Sequence, residues 1–243
     1  MNTAKPFFSR TNLPRLCLIA VTAVLITGTG IYTHQSALRI LPLYISLFVG
    51  ALQANASRYA SLLGGINSIL YAVVYWLLGL YASAGYALFF SFPIQVATFL
   101  RWSRHRYGSS TQFRKLSTKG RIWTLVGFFA AFGVLAWVLH KAGSSYQLLD
   151  NLTSLLGILI AILTMLAYIE YTWLMLPSGV ISICLHIATM AAHPAQITYL
   201  IFSLYSLVCV TKQFFRVRKL YREQCSQEQR SPEQCSPEQR SQE

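Results

Sequence analysis

The chain has 243 residues, of which 54% are hydrophobic and only 11% charged, and its mean hydropathy is +0.46. A soluble domain carries about a quarter charged residues, so the composition excludes an ordinary soluble protein and points to a polytopic membrane protein. The net charge of +13 is not a nucleic-acid footprint: Lys and Arg sit between apolar segments, and before Glu223 only Asp150 and Glu170 are acidic.

A spanning helix needs about 20 mostly apolar residues, and backbone groups in lipid must pair within their own segment. On that basis the chain reads as eight helices: Leu16–Tyr32, Leu38–Gln53, Tyr59–Leu80, Ala82–Leu100, Ile122–His140, Leu148–Ala167, Glu170–Met190 and Ala195–Thr211. The first is longer than a usual signal core and lacks a small-residue cleavage site, so it reads as a retained helix. With the N-terminus inside, sixteen Lys and Arg fall on the inner side and only Arg39 and Lys141 on the outer. That bias predicts a multi-pass protein with both termini cytoplasmic, and the plasma membrane is its expected location.

The implied organisation is a cytoplasmic N-terminus and extra helix (1–36), a three-helix bundle (37–101) and a basic cytoplasmic loop (102–121). A linker helix (122–141), a second three-helix bundle (147–212) and a tail (213–243) complete it. From Glu223 the tail repeats itself, EQCSQEQRSPEQCSPEQRSQE, is polar and lacks aromatics, and is expected to be disordered. The five cysteines show no paired spacing, which argues against a disulfide framework or a metal site; no cofactor is expected. A single helix between two triplets keeps them parallel. Short matches agree, GGINSILY (64–71) on GVISICLH (179–186) and YALF (86–89) on YLIF (199–202). In transporters built from repeats, substrate sites lie near the midplane between them.

Polar groups inside spanning helices are costly and face a cavity or another helix. Here they are Asn67, Ser68, Gln95, Asp150, Asn151, Thr153, Glu170, Ser178, Ser182 and Gln196. The simplest use of Asn67 and Gln95 is hydrogen bonding between helices, about 0.6–2 kcal/mol each. Gln95 follows Pro93, whose missing N–H bends a helix and opens space. Asn67 and Tyr71 are one turn apart and share a face. Amides with tyrosines and tryptophan suit a flat, hydrogen-bonding, neutral or cationic ring. The candidate substrate-binding set is Asn67, Tyr71, Gln95, Tyr86, Trp173, Ser182 and Tyr199. Asp150 and Glu170 fit helix ends better than a proton relay. Catalysis has no support: Leu176-Pro177-Ser178-Gly179 lacks the first glycine of a GxSG motif, and His186 and His193 have no HExxH context.

Taken in order, Asn67 with Leu70-Tyr71, Pro93-x-Gln95, Trp102, Asp150 with Thr153, and Tyr168-x-Glu170 resemble the PnuC-type vitamin transporters, whose best-known members carry nicotinamide riboside. The resemblance runs from Gly64 to the end of the last helix. It implies an all-α, SWEET-like 3+1+3 core, an allowed extra N-terminal helix, and facilitated diffusion of a small vitamin followed by phosphorylation by a cytoplasmic kinase. Relatives carry Gly-Trp where this chain has Thr98 and Phe99. They carry two tryptophans and an Asn or Asp where it has Thr172, Met175 and Gly179; Trp173 replaces a tryptophan only by a shift of about 100° around the helix. Partners beyond the vitamin and the bilayer are limited to an open question of homo-oligomerisation. Thiamine is the nearest alternative cargo; a receptor or scaffold docking through residues 101–121 is the alternative in kind.

Overall fold

The computed structural model describes residues 13–77, 81–107, 110–141, 147–190, 194 and 196–234. Helices fill it: α1 (Leu13–Tyr32), α2 (Ala37–Gln53), α3 (Tyr59–Leu77), α4 (Tyr81–Tyr86), α5 (Phe92–Arg104), α6 (Thr118–Lys141), α7 (Gln147–Met165), α8 (Tyr171–Met190) and α9 (Gln196–Gln234). A π-helical segment, Ala87–Ser91, joins α4 to α5, so the described residues form the eight rods that the apolar segments require.

The π segment answers Pro93. Proline cannot donate to the carbonyl four residues back and its ring crowds that carbonyl. Here the helix widens just before it, and Phe92 N–H reaches Ala87 O. Pro93 then falls in the first turn of α5, where no intrahelical donor is needed.

Helices α1, α2 and α7 end alike. His34, Ala56 and Ala167 have φ of 52°, 51° and 60°. The next N–H returns to a carbonyl five residues back: Gln35 to Gly30, Ser57 to Leu52, Tyr168 to Leu163. This satisfies carbonyls that a helix end would leave bare.

Six helices close a ring: α2 packs on α3, α3 on α5, α5 on α7, α7 on α8, α8 on α9, and α9 on α2. Outside it, α1 lies on α2 and α9, and α6 lies on α7. One buried cluster, with Ile26, Leu43, Leu47 and Tyr205, ties α1, α2 and α9 together. A second, with Trp102, Phe113, Leu163, Tyr171, Val217 and Leu220, seals the end of the ring that carries the basic loop. The outward surface is apolar, with Val24, Phe89, Trp123, Phe129 and Val134 all exposed.

The basic loop is folded. A short hairpin pairs β1 (Arg106–Tyr107) with β2 (Ser110–Thr111). Arg114 then bridges to the α7–α8 turn, donating to Ala167 O and accepting from Ile169 N–H, both at 2.9 Å. Trp102 Nε1 donates to Thr164 O at 2.8 Å, so the tryptophan at the end of α5 pins α7. Glu170, at the start of α8, accepts the Leu116 N–H at 3.1 Å and an Arg121 guanidinium at 2.8 Å.

Two sequence expectations change. Disorder was expected from residue 213, yet α9 is helical through Gln234. Its face with Gln213, Phe214, Val217, Leu220 and Gln224 is buried, and the spacing of three and four continues one helical stripe into the polar tail. Gln224 holds the loop, accepting the Phe113 N–H and donating to Thr111 O, both at 3.1 Å. The loop is also shorter than 102–121, because α5 runs to Arg104 and α6 starts at Thr118. Residues 78–80 and 235–243, and the side chains of Tyr75, Asp150, Asn151 and His193, lie outside the described residues.

Candidate functional site

Three chambers lie along the inside of the ring. Nearest the basic loop is one of about 140 Å³, bounded by Gln53, Ser61, Gln95, Thr98, Tyr171 and Gln213 among others. A middle chamber of about 230 Å³ is lined by Ser46, Gln53, Asn67, Ser68, Tyr71, Gln95 and Ser206. The far chamber, about 320 Å³, has Tyr71, Ser178, Ser182, His186, Tyr199, Phe202 and Ser203 in its wall. Shared walls connect them. Gln53 and Gln95 border the first two, Tyr71 and Ser206 the second and third, and Met175 the first and third. Among the described residues, no Lys, Arg, Asp or Glu lines any of the three.

Asn67 is 6% exposed. Its Nδ2 donates to Ser46 Oγ at 2.8 Å, and Ser46 Oγ in turn donates to Pro42 O at 2.9 Å. Asn67 Oδ1 is buried with no hydrogen-bond partner among the described residues, which leaves an acceptor beside the middle chamber. Ser68 Oγ shares a hydrogen bond of 2.8 Å with Ser91 Oγ of the π segment, tying α3 to the bend. Gln95 reaches its position because Gly64 has no side chain. A Cβ on Gly64 would lie 3.1 Å from the Gln95 amide, tighter than a relaxed contact. In the far chamber the His186 and Tyr199 rings stack with centroids 6.1 Å apart.

Five of the seven candidates therefore converge on the ring interior: Asn67, Tyr71, Gln95, Ser182 and Tyr199. Two do not. Tyr86 is 53% exposed and stacks on Phe90 outside the chambers. Trp173 is also 53% exposed and lies beneath the Arg218 guanidinium, 4.2 Å from its centre. On a helix the residue beside an inward position points about 100° away, and Thr172 is the one that is buried. The positions that hold tryptophan and Asn or Asp in relatives, Met175 and Gly179, do line the far chamber. Ser46, Gln53, Ser206 and Gln213 line the interior too and were not singled out. Ser46, Gly50 and Gln53 stand four and three apart on α2, a stripe visible in the sequence.

The nicotinamide mononucleotide transporter family matches residues 36–212, from the start of α2 into α9. The chain belongs to this family. It is therefore a membrane protein of a transporter family. No curated protein sequence matches it. Among solved structures, the crystal structure of the vitamin B3 transporter PnuC is similar, with a TM-score of 0.71 and 18% identity over 89% of this chain and 94% of that one. At that identity the likeness establishes the fold.

Proposed function

We propose that the chain carries an unphosphorylated vitamin B3 nucleoside, of the nicotinamide riboside type, down its gradient through the interior of the six-helix ring. The observation that carries this reading is the lining: amides, hydroxyls and aromatic rings, and no formal charge among the described residues. A mononucleotide brings a phosphate of about −1.5 to −2 charge, and burying it without a cation is severely unfavourable. A riboside brings hydroxyls for Ser and Asn and one delocalised pyridinium, which tyrosine faces attract. Asn67, Tyr71 and Gln95 hold the polar edge of the ring, and Ser182 and Tyr199 serve the sugar. A cytoplasmic kinase that phosphorylates the nucleoside traps it inside.

In this reading α2, α3 and α4–α5 form one bundle, α7 to α9 the parallel second, and α6 is the linker of a 3+1+3 arrangement. The basic-loop end faces the cytoplasm of a cell whose plasma membrane the chain spans. Thiamine, also a flat cation, is the second reading, favoured by the far chamber of about 320 Å³ that Met175 and Gly179 help to line. Calorimetric titration of purified protein separates the readings. Nicotinamide riboside should bind, thiamine more weakly, and nicotinamide mononucleotide not measurably; tight mononucleotide binding would sink the proposal.

A further inference from the structure

A cavity larger than any of the three chambers lies elsewhere. Helix α6 rests on α7 alone among the larger contacts, so a groove of about 610 Å³ opens sideways between α6 and α8. Its floor and walls are apolar, built from Leu125, Phe128, Phe129, Leu156 and Leu159. At the basic-loop end the rim changes character, with Lys115, Arg121 and Arg218 beside a single carboxylate, Glu170.

That carboxylate is already engaged, by Arg121 and by the Leu116 N–H. Lys115 and Arg218 have no carboxylate partner among the described residues. Arg218 is held in place all the same, stacked 4.2 Å from the Trp173 ring centre and 4.3 Å from that of Phe214. A flat guanidinium fixed in this way presents its N–H fork to an anion with little ordering cost. Two uncompensated cations above an apolar trough match one amphiphile: an acyl chain in the trough and a phosphodiester on the rim. A free phosphate would leave the trough unexplained, and a zwitterionic lipid would leave the net charge unanswered.

We propose that this groove binds one anionic phospholipid from the leaflet at the basic-loop end. The test is native mass spectrometry of protein taken from vesicles of phosphatidylcholine with phosphatidylglycerol. Wild type should retain one phosphatidylglycerol. Lys115→Gln, which leaves the Arg218 stack alone, should weaken retention about 5-fold, and Lys115→Gln with Arg218→Gln about 30-fold, from the attraction per basic residue near a surface. Arg216→Gln with Arg222→Gln removes as much charge, from the helix that carries Arg218 but not from the groove, and should retain the lipid as wild type does. Four results would overturn the proposal: equal loss in that control pair, equal retention of phosphatidylcholine, displacement by inorganic phosphate, or a lipid-free oligomer with the groove covered by a second copy. Uptake is measured separately on the same preparations, so failure here is distinguishable from failure of the transport reading.

Discussion

Asn67 Nδ2 donates to Ser46 Oγ across the α2–α3 contact while Asn67 Oδ1, beside the middle chamber, has no hydrogen-bond partner among the described residues. One amide thus has two faces, one used between helices and one turned to the interior. The two uses are separable by substitution.

Ser46→Ala removes the interhelical bond and leaves Oδ1 in place. Melting should show a loss of about 0.6–2 kcal/mol, with substrate affinity close to wild type. Asn67→Leu removes both faces, so it should lose similar stability and also about 1–3 kcal/mol of binding, the cost of an unsatisfied polar partner. Equal affinity in the two variants, measured by titration, would restrict Asn67 to helix packing.

Trp173 and Tyr71 make the opposite pair. Trp173→Leu should cost about 0.5–1 kcal/mol of stability through the lost Arg218 stack and leave the KM for uptake unchanged. Tyr71→Leu should raise KM, because Tyr71 lines two of the three chambers. A KM change in Trp173→Leu and none in Tyr71→Leu would place the site outside the ring.

These contrasts show what could be read from the sequence. Asn67, Gln95 and Ser182 stood out because an amide or hydroxyl in an apolar helix must face something polar. Asn67 with Tyr71 followed from helical spacing. Aromatics carry no such signal: tyrosine and tryptophan suit a cavity wall and a lipid-facing surface alike, and here Tyr86 and Trp173 are exposed while Tyr199 lines the far chamber. Gln213 was missed because the helix was ended at Thr211, where the apolar run stops; what carries α9 onward is the buried stripe through Val217, Leu220 and Gln224. The count of helices was legible, since only apolar length decides it. The folding of the basic loop was not, because it rests on long-range pairs such as Trp102 with Thr164 and Gln224 with Phe113.

Gln224→Ala should leave the buried Phe113 N–H without its acceptor, costing about 1–3 kcal/mol, read as a lower melting temperature. Truncation after residue 227 should be close to neutral, because among the described residues the hydrogen bonds from the α9 extension to the loop lie at or before Gln227. The reverse ranking would show that the extension does not clamp the loop.

Glu170 anchors the basic loop to the start of α8 through Leu116 and Arg121. Its ion-pair partner Arg121 is 47% exposed, so the pair is discounted for solvent to below about 1 kcal/mol. Glu170→Gln keeps an oxygen for the Leu116 N–H and should retain transport with a small loss of stability. Abolished uptake in a protein that still melts normally would give the carboxylate a part in transport.

The central claim is that the neutral ring interior carries the nucleoside and rejects its phosphate ester. Uptake of labelled nicotinamide riboside and nicotinamide mononucleotide into liposomes holding the purified protein and no kinase tests it most directly. The account predicts saturable riboside flux that stops when inside and outside concentrations are equal, ignores an imposed proton gradient, and falls in Asn67→Leu, with no mononucleotide flux. Mononucleotide uptake at a comparable rate, or riboside accumulation above the outside concentration, would contradict it.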